Sequence, residues 1–94
     1  MANRNRSTRQ TRENTMRRMV SYLRSLANRR SSGVVTADDA HVFLNRVGVR
    51  QRQVYTRLSY INSAFGSGMF EQSGMTYSTR PAAKGRAIST YTVA

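Results

Sequence analysis

The sequence predicts an α+β fold, mainly helical: three helices and then a C-terminal β-hairpin, behind a disordered basic N-terminal arm. Three observations predict it. Between Glu13 and Phe65, three stretches repeat apolar residues at helical spacing. Further on, Met75–Thr79 and Ala87–Val93 are rich in strand formers, and the segment between them has Pro81 near one end and Gly85 near the other, as a hairpin loop requires. Residues 1–12 hold Arg4, Arg6, Arg9 and Arg12 among small polar residues, with nothing apolar after Ala2. Such a stretch cannot bury enough surface to offset its ordering entropy. The division is an arm at 1–12 and one domain at 13–94, because 94 residues leave no room for a second core.

In the first helix, Met16, Met19, Val20, Leu23, Leu26 and Ala27 form one stripe. Asn14 or Thr15 caps its start, and Arg29, Arg30 and Ser31-Ser32-Gly33 end it, with positive charge where the helix dipole favours it. Val34-Val35 is a stub of strand. Thr36-Ala37-Asp38-Asp39 then has the form of a capping box. The helix it opens places Ala37, Ala40, Phe43, Leu44 and Val47 on one face, with His41 at the edge and Val42 pointing away. Gly48 stops it. From Gln51, Val54, Leu58, Ile61 and Phe65 form a third seam, ended by Gly66-Ser67-Gly68. A seam of this kind predicts that Leu58→Ala unfolds the domain, at about 2–5 kcal/mol. Met69-Phe70 is an apolar pair, and Glu71-Gln72-Ser73-Gly74 reads as a turn before the hairpin.

Fifteen arginines and one lysine face four carboxylates, for a formal net charge of +12. Guanidinium is a planar fork of donors that matches phosphate oxygens and the guanine edge. A short chain this basic calls for a polyanion, and nucleic acid leads. Other classes are excluded by what the chain lacks. Without cysteine there is no disulfide, thiolate metal site or thiol nucleophile. The longest apolar stretch is Val42-Phe43-Leu44, so no membrane partner is expected, and the charged N-terminus is no signal peptide. A soluble, cytoplasmic protein is the reading. His41 is the single histidine and has no metal-ligand partners in the sequence. Asp38 and Asp39 are adjacent and diverge by about 100° on a helix, so they are not an acid–base pair. Glu13 and Glu71 stand alone. These residues argue against an enzyme, with no catalytic residue, metal, cofactor or small-molecule ligand expected.

Basic arm, helix, helix, glycine turn, helix and basic-tipped hairpin together resemble the winged helix-turn-helix DNA-binding domains. The match runs from Met16 to Val93 and is tightest from Thr36 to Phe65, with Gly48 at the turn and Val54 and Leu58 packing the second helix of the pair. It departs at Leu44, where such units usually hold a small residue. The resemblance implies double-stranded DNA as partner. It also implies a small phage-type or prokaryotic transcription regulator, associated with the nucleoid or the host cytoplasm. Such a regulator acts by occupying DNA, bending it or touching RNA polymerase or another protein.

A helix in the major groove reads base edges with forked or amide side chains. Arg52, Gln53, Thr56 and Tyr60 take that role. Arg17, Arg18, Arg24, Arg46, Arg50 and Arg57 are expected on the phosphate backbone. Arg80, Lys84 and Arg86 form the wing, and Arg4, Arg6, Arg9 and Arg12 form an arm that either orders in a minor groove or stays a solvated tail adding general affinity. Six to eight neutralised phosphates predict a log–log salt slope of about −5 to −7. Two other readings stand beside this one: an RNA-binding or ribosomal-type protein, with Tyr22, Tyr55, Tyr60, Tyr77 and Tyr91 as stacking surfaces, and a packaging protein indifferent to sequence. Tyr22 and Val42 lie off the predicted core faces, which leaves a two-fold homodimer open.

Overall fold

A computed structural model describes the backbone of residues 4–94 and the side chains of residues 11–94. About half of the chain is helical, and the rest is built around a three-stranded antiparallel sheet. The first helix, α1 (Arg4–Arg29), buries Met19, Leu23 and Ala27 and packs Met16, Val20 and Leu26 against the same core. This is the stripe that the spacing requires. The helix begins earlier than expected, however. Backbone from Arg4 to Arg12 is helical where the sequence suggested a disordered arm.

The physical reason is that turns added to an existing helix need no new nucleus. Arg12 also continues the core-facing stripe two turns ahead of Met19. Its guanidinium lies 4.9 Å from the centre of the Tyr60 ring and donates to Ser59 Oγ on another helix. The exposed Arg12 side chain thus reaches from α1 across to Ser59 and Tyr60. Residues 1–3, and the side chains of Arg4, Arg6 and Arg9 that were assigned to the arm, lie outside the described residues.

Strand β1 (Val35–Thr36) leads into α2 (Ala37–Arg46) through the predicted capping box. Thr36 Oγ1 accepts from the Asp38 N–H at 3.2 Å, and Asp39 Oδ2 accepts from the Thr36 N–H at 2.9 Å. Ala40, Phe43 and Leu44 are buried, and Val42 faces solvent, as the spacing implies. At the far end the Val49 N–H reaches Leu44 O at 3.0 Å and the Gly48 N–H reaches Asn45 O at 3.2 Å. That pair of bonds is a Schellman closure, and it requires the left-handed backbone that Gly48 adopts at φ 84°.

The third helix, α3 (Val54–Phe65), differs from expectation in both start and orientation. Residues 51–53 form the turn before it and not its first turn. Its buried face is Arg57, Tyr60, Ile61 and Ala64, while Val54 and Leu58 are 54% and 46% exposed. The helix is thus rotated by most of one residue, on the order of 100°, from the predicted seam. Arg57, Tyr60, Ile61 and Ala64 have i, i+3, i+4, i+7 spacing, so they form a legitimate helical face. Arg57 conceals it, because a charged residue reads as an outward one.

Strands β2 (Phe70–Tyr77) and β3 (Ala87–Val93) form the hairpin, with β3 central and β1 on its other edge. Residues 71–74 are strand, not turn. The Gln72–Tyr91 and Gly74–Thr90 pairs leave Ser73 as the extra residue of a bulge, with its hydroxyl 2.9 Å from Thr90 Oγ1. Phe65 stacks on Tyr91 at 4.0 Å and meets the edge of Phe70 at 5.4 Å, tying α3 to the sheet. Beyond that anchor the hairpin leaves the core, and Met75 and Tyr77 are exposed. Its loop contains a single 3-10 turn, Pro81–Ala83, followed by Lys84 and Gly85 in left-handed conformation.

Candidate nucleic-acid interface

Two adjacent acids set the positions around α2, and they do so in opposite directions. Asp39 accepts both ends of the Arg30 guanidinium, at 2.9 and 2.8 Å, and so fastens α2 to the end of α1. That hydrogen bond is the main reason that Arg30 holds its proton more tightly than an ordinary arginine. Asp38 points to the hairpin. Its Oδ1 accepts from Ser78 Oγ at 2.7 Å, and its Oδ2 accepts from the Thr79 N–H at 2.8 Å. Ser78 Oγ in turn accepts from the Arg80 N–H at 3.2 Å. Asp38 thus fixes the base of the hairpin loop and, through it, the place where Arg80 departs. Nothing in the sequence announces a contact across forty residues of chain.

The connection from α2 to α3 is organised by Arg57, which is only 2% exposed. Its Nε donates to Arg50 O at 3.1 Å, its Nη2 donates to Val49 O and Asn45 Oδ1, and its Nη1 donates to His41 Nδ1 at 2.9 Å. Every one of these partners is neutral. Burial, and then the nearby positive charge of Arg80, loosen the proton of Arg57 relative to a free arginine. Burial also dominates at His41, followed by the charges of Arg80 and Arg57 against a weaker opposing pull from Asp38; together they push the imidazole down to about 4. His41 is therefore neutral near pH 7. Because Nδ1 accepts from Arg57, its proton sits on Nε2.

Between α2, α3 and the hairpin loop lies a cleft of about 390 Å³, lined by His41, Val54, Arg57, Leu58, Arg80 and Arg86 among others. An apolar groove of about 410 Å³ continues from it along α3 toward β3, past Leu58, Phe65, Ile88 and Tyr91. The loop arginines expected at a wing are therefore brought to the side of α3, where His41 and Arg57 meet them. Lys84 is exposed at the turn of the same loop.

The residues expected to read bases are dispersed. Arg52 is exposed, but in the turn ahead of α3. Gln53 is exposed as well, yet its Oε1 accepts from the Arg50 N–H at 2.9 Å, so the paired acceptor and donor that an adenine edge needs is no longer free. Thr56 is half-buried. Tyr60, at 7% exposure, belongs to the core beneath Arg12 and is withdrawn from the reading set. Arg57 is likewise withdrawn from the phosphate-contacting set, because its guanidinium is committed inside the molecule. The outward side of α3 instead shows Tyr55, at 88% exposure, and Asn62.

Among the other arginines, Arg17, Arg18 and Arg24 are exposed on α1, and Arg50 is exposed in the turn. Arg46 is exposed at the end of α2, with its guanidinium 5.5 Å from the centre of the Tyr22 ring. Tyr22 itself is half-buried against Phe43 at 5.5 Å, so of the two apolar groups expected off the core only Val42 stands in solvent. Among the described residues no group of His, Asp and Glu is placed to hold a metal ion, and no helix is long and apolar enough to cross a membrane. Comparison with family models, curated proteins and solved structures finds no match for this chain.

Proposed function

We propose that the protein binds double-stranded DNA sequence-specifically as a winged helix-turn-helix domain, and that it acts as a small transcription regulator by occupying its site. The observation that carries this reading is the arrangement around α3. A short glycine-closed turn joins α2 to α3, the sheet pairs β1 with β3 and β3 with β2, and an arginine-bearing hairpin loop stands beside α3. With a net charge of +12, such a surface favours a polyanion over any protein or small-molecule partner.

In this reading α3 enters the major groove, with Arg52, Tyr55 and Asn62 toward base edges. Arg80, Lys84 and Arg86 lie on the flanking backbone or minor groove. Arg17, Arg18, Arg24, Arg46 and Arg50 supply charge without sequence information. The protein then works wherever its DNA lies, in the nucleoid or a host cytoplasm.

Selection of bound sequences from a random duplex pool is the test. A regulator enriches one motif and binds it at least about 10³-fold tighter than random duplex at fixed salt. A palindromic product would also establish a two-fold dimer. Arg52→Ala should then relax preference at one base pair by about 1–3 kcal/mol, whereas Arg17→Ala should weaken all sequences alike and flatten the salt slope by about 1. Absence of enrichment, or single-stranded RNA outcompeting duplex DNA at about 150 mM salt, would reject the reading.

A further inference from the structure

The cleft between α2, α3 and the hairpin loop is lined by three guanidinium groups, those of Arg57, Arg80 and Arg86, and by no carboxylate. We propose that it is a binding site for a single phosphate group, gripped by Arg80 and Arg86 from the loop and backed by Arg57 and the Nε2–H of His41.

The charge balance around Arg57 is the first support. A buried cation is costly to keep unless an anion accompanies it. Arg57 is 2% exposed, and its four hydrogen bonds go to His41, Asn45, Val49 and Arg50, none of which carries negative charge toward it. Guanidinium has five donors, so one N–H on Nη1 is left uncommitted by those bonds. The ion pair found among the described residues is Arg30 with Asp39, on the other side of α2. Asp38 borders the neighbouring cavity beside Arg80, but both of its oxygens are occupied by Ser78 and Thr79. An oxyanion in the cleft supplies the charge that the protein itself does not.

Preorganisation is the second support. The Asp38 clamp on Ser78 and Thr79 holds the start of the loop, and the Pro81–Ala83 turn brings the chain round to Arg86. Arg80 therefore stands near His41 and Arg57 before any ligand arrives, and its charge already disfavours protonation of both. Like charges held together in a low-dielectric recess focus positive potential there. A neutral imidazole with its proton on Nε2 adds a donor without adding to the repulsion. At about 390 Å³ the cleft falls in the size range of small-ligand sites and is roomier than a bare phosphate needs, so the group is expected to arrive attached to a larger molecule.

The site depends on the nucleic-acid reading only for the identity of that larger molecule, and the experiment separates the two. His41 is the single histidine, so its ring resonances report on the cleft without ambiguity. Inorganic phosphate, titrated near pH 7 against sodium chloride of matched ionic strength, should shift those resonances saturably and raise the imidazole pKa. The doubly substituted R80Q/R86Q protein, shown by its remaining amide spectrum to be folded, should bind phosphate at least about tenfold more weakly. A His41 signal that moves no more with phosphate than with chloride, or equally in the variant, overturns the site whatever the protein does with DNA.

Two further titrations identify the carrier. A short duplex with hydroxyl ends that produces the same His41 shift assigns a backbone phosphodiester. A shift only with the 5′-phosphorylated duplex assigns a terminal phosphomonoester.

Discussion

Helices α2 and α3 begin in opposite ways. The start of α2 is secured within four residues by Thr36 and Asp39, each closing a backbone donor of the other. At the start of α3 there is no side-chain cap hydrogen bond. The turn before it is held from inside the helix, by Arg57 reaching back to the carbonyls of Val49 and Arg50 and to the side chains of Asn45 and His41. A capping box satisfies the orphan N–H groups of a helix with neighbours in sequence. Arg57 satisfies loop carbonyls with a guanidinium that must first be buried. One start is built from local chemistry, and the other adds to the local Gln53–Arg50 bonds a set of contacts that forms only once α2, α3 and the turn have met.

Removing the non-local device should have the largest effect. Arg57→Ala leaves the Val49 carbonyl and the His41 imidazole without a donor, leaves Arg50 O with the Gln53 N–H alone and Asn45 Oδ1 with the Gln51 amide alone, and opens a cavity, so a loss of about 3–4 kcal/mol is expected in urea denaturation. A loss under about 1 kcal/mol would mean that the turn is held by its backbone bonds and the Gln51 and Gln53 side chains.

The local device should matter less. Asp39→Ala removes half of the capping box and the Arg30 fork, for about 1–2 kcal/mol by the same measurement. A cost equal to that of Arg57→Ala would erase the distinction between the two helix starts.

Acid probes the Arg57 hub without a mutation. His41 in the folded protein titrates at about 4, below its unfolded value near 6.5. Between those values the unfolded chain takes up a proton that the folded one refuses, so stability is complete above about pH 6.5 and declines as pH falls toward 4. Because the ring is half-buried and partly screened, the decline is expected to be about 1–2 kcal/mol. His41→Gln, which keeps an acceptor for Arg57, should flatten that part of the profile. An unchanged profile would show that other groups carry the acid sensitivity.

The smallest effect is expected at Leu58. With 46% of its surface exposed, Leu58→Ala should cost no more than about 1 kcal/mol, against the 2–5 kcal/mol implied by a core seam. Ile61→Ala, on the buried face, should cost several times as much in parallel denaturation curves. The reverse ranking would restore the seam read from periodicity.

Legibility in this chain follows the range of the interaction. Met19, Leu23 and Ala27, the Thr36–Asp39 box, the Gly48 stop and the strand at Ala87–Val93 were all readable, because each is specified by residues within a turn or two of itself. The face of α3 was misread because Arg57 carries a charge and still packs inside. Only its alignment with Tyr60, Ile61 and Ala64 signalled otherwise, and that signal competed with the equally regular Val54–Leu58 spacing. The bulge at Ser73 and the side-chain contacts of Arg12 involve Thr90 and, for Arg12, Ser59 and Tyr60, all distant in sequence.

The sequence by itself determined that the chain has three amphipathic or capped helices, a C-terminal hairpin and a large excess of arginine, since propensity, capping and charge are properties of short segments. Tertiary structure decided which arginines are available. It buried Arg57 among neutral acceptors, stacked Arg12 on Tyr60 and, through Asp38, held Arg80 beside His41. The reason is that a guanidinium is apolar on its faces and polar at its rim. It can be a core residue or a surface one, and only the partners that the fold brings to its rim settle which.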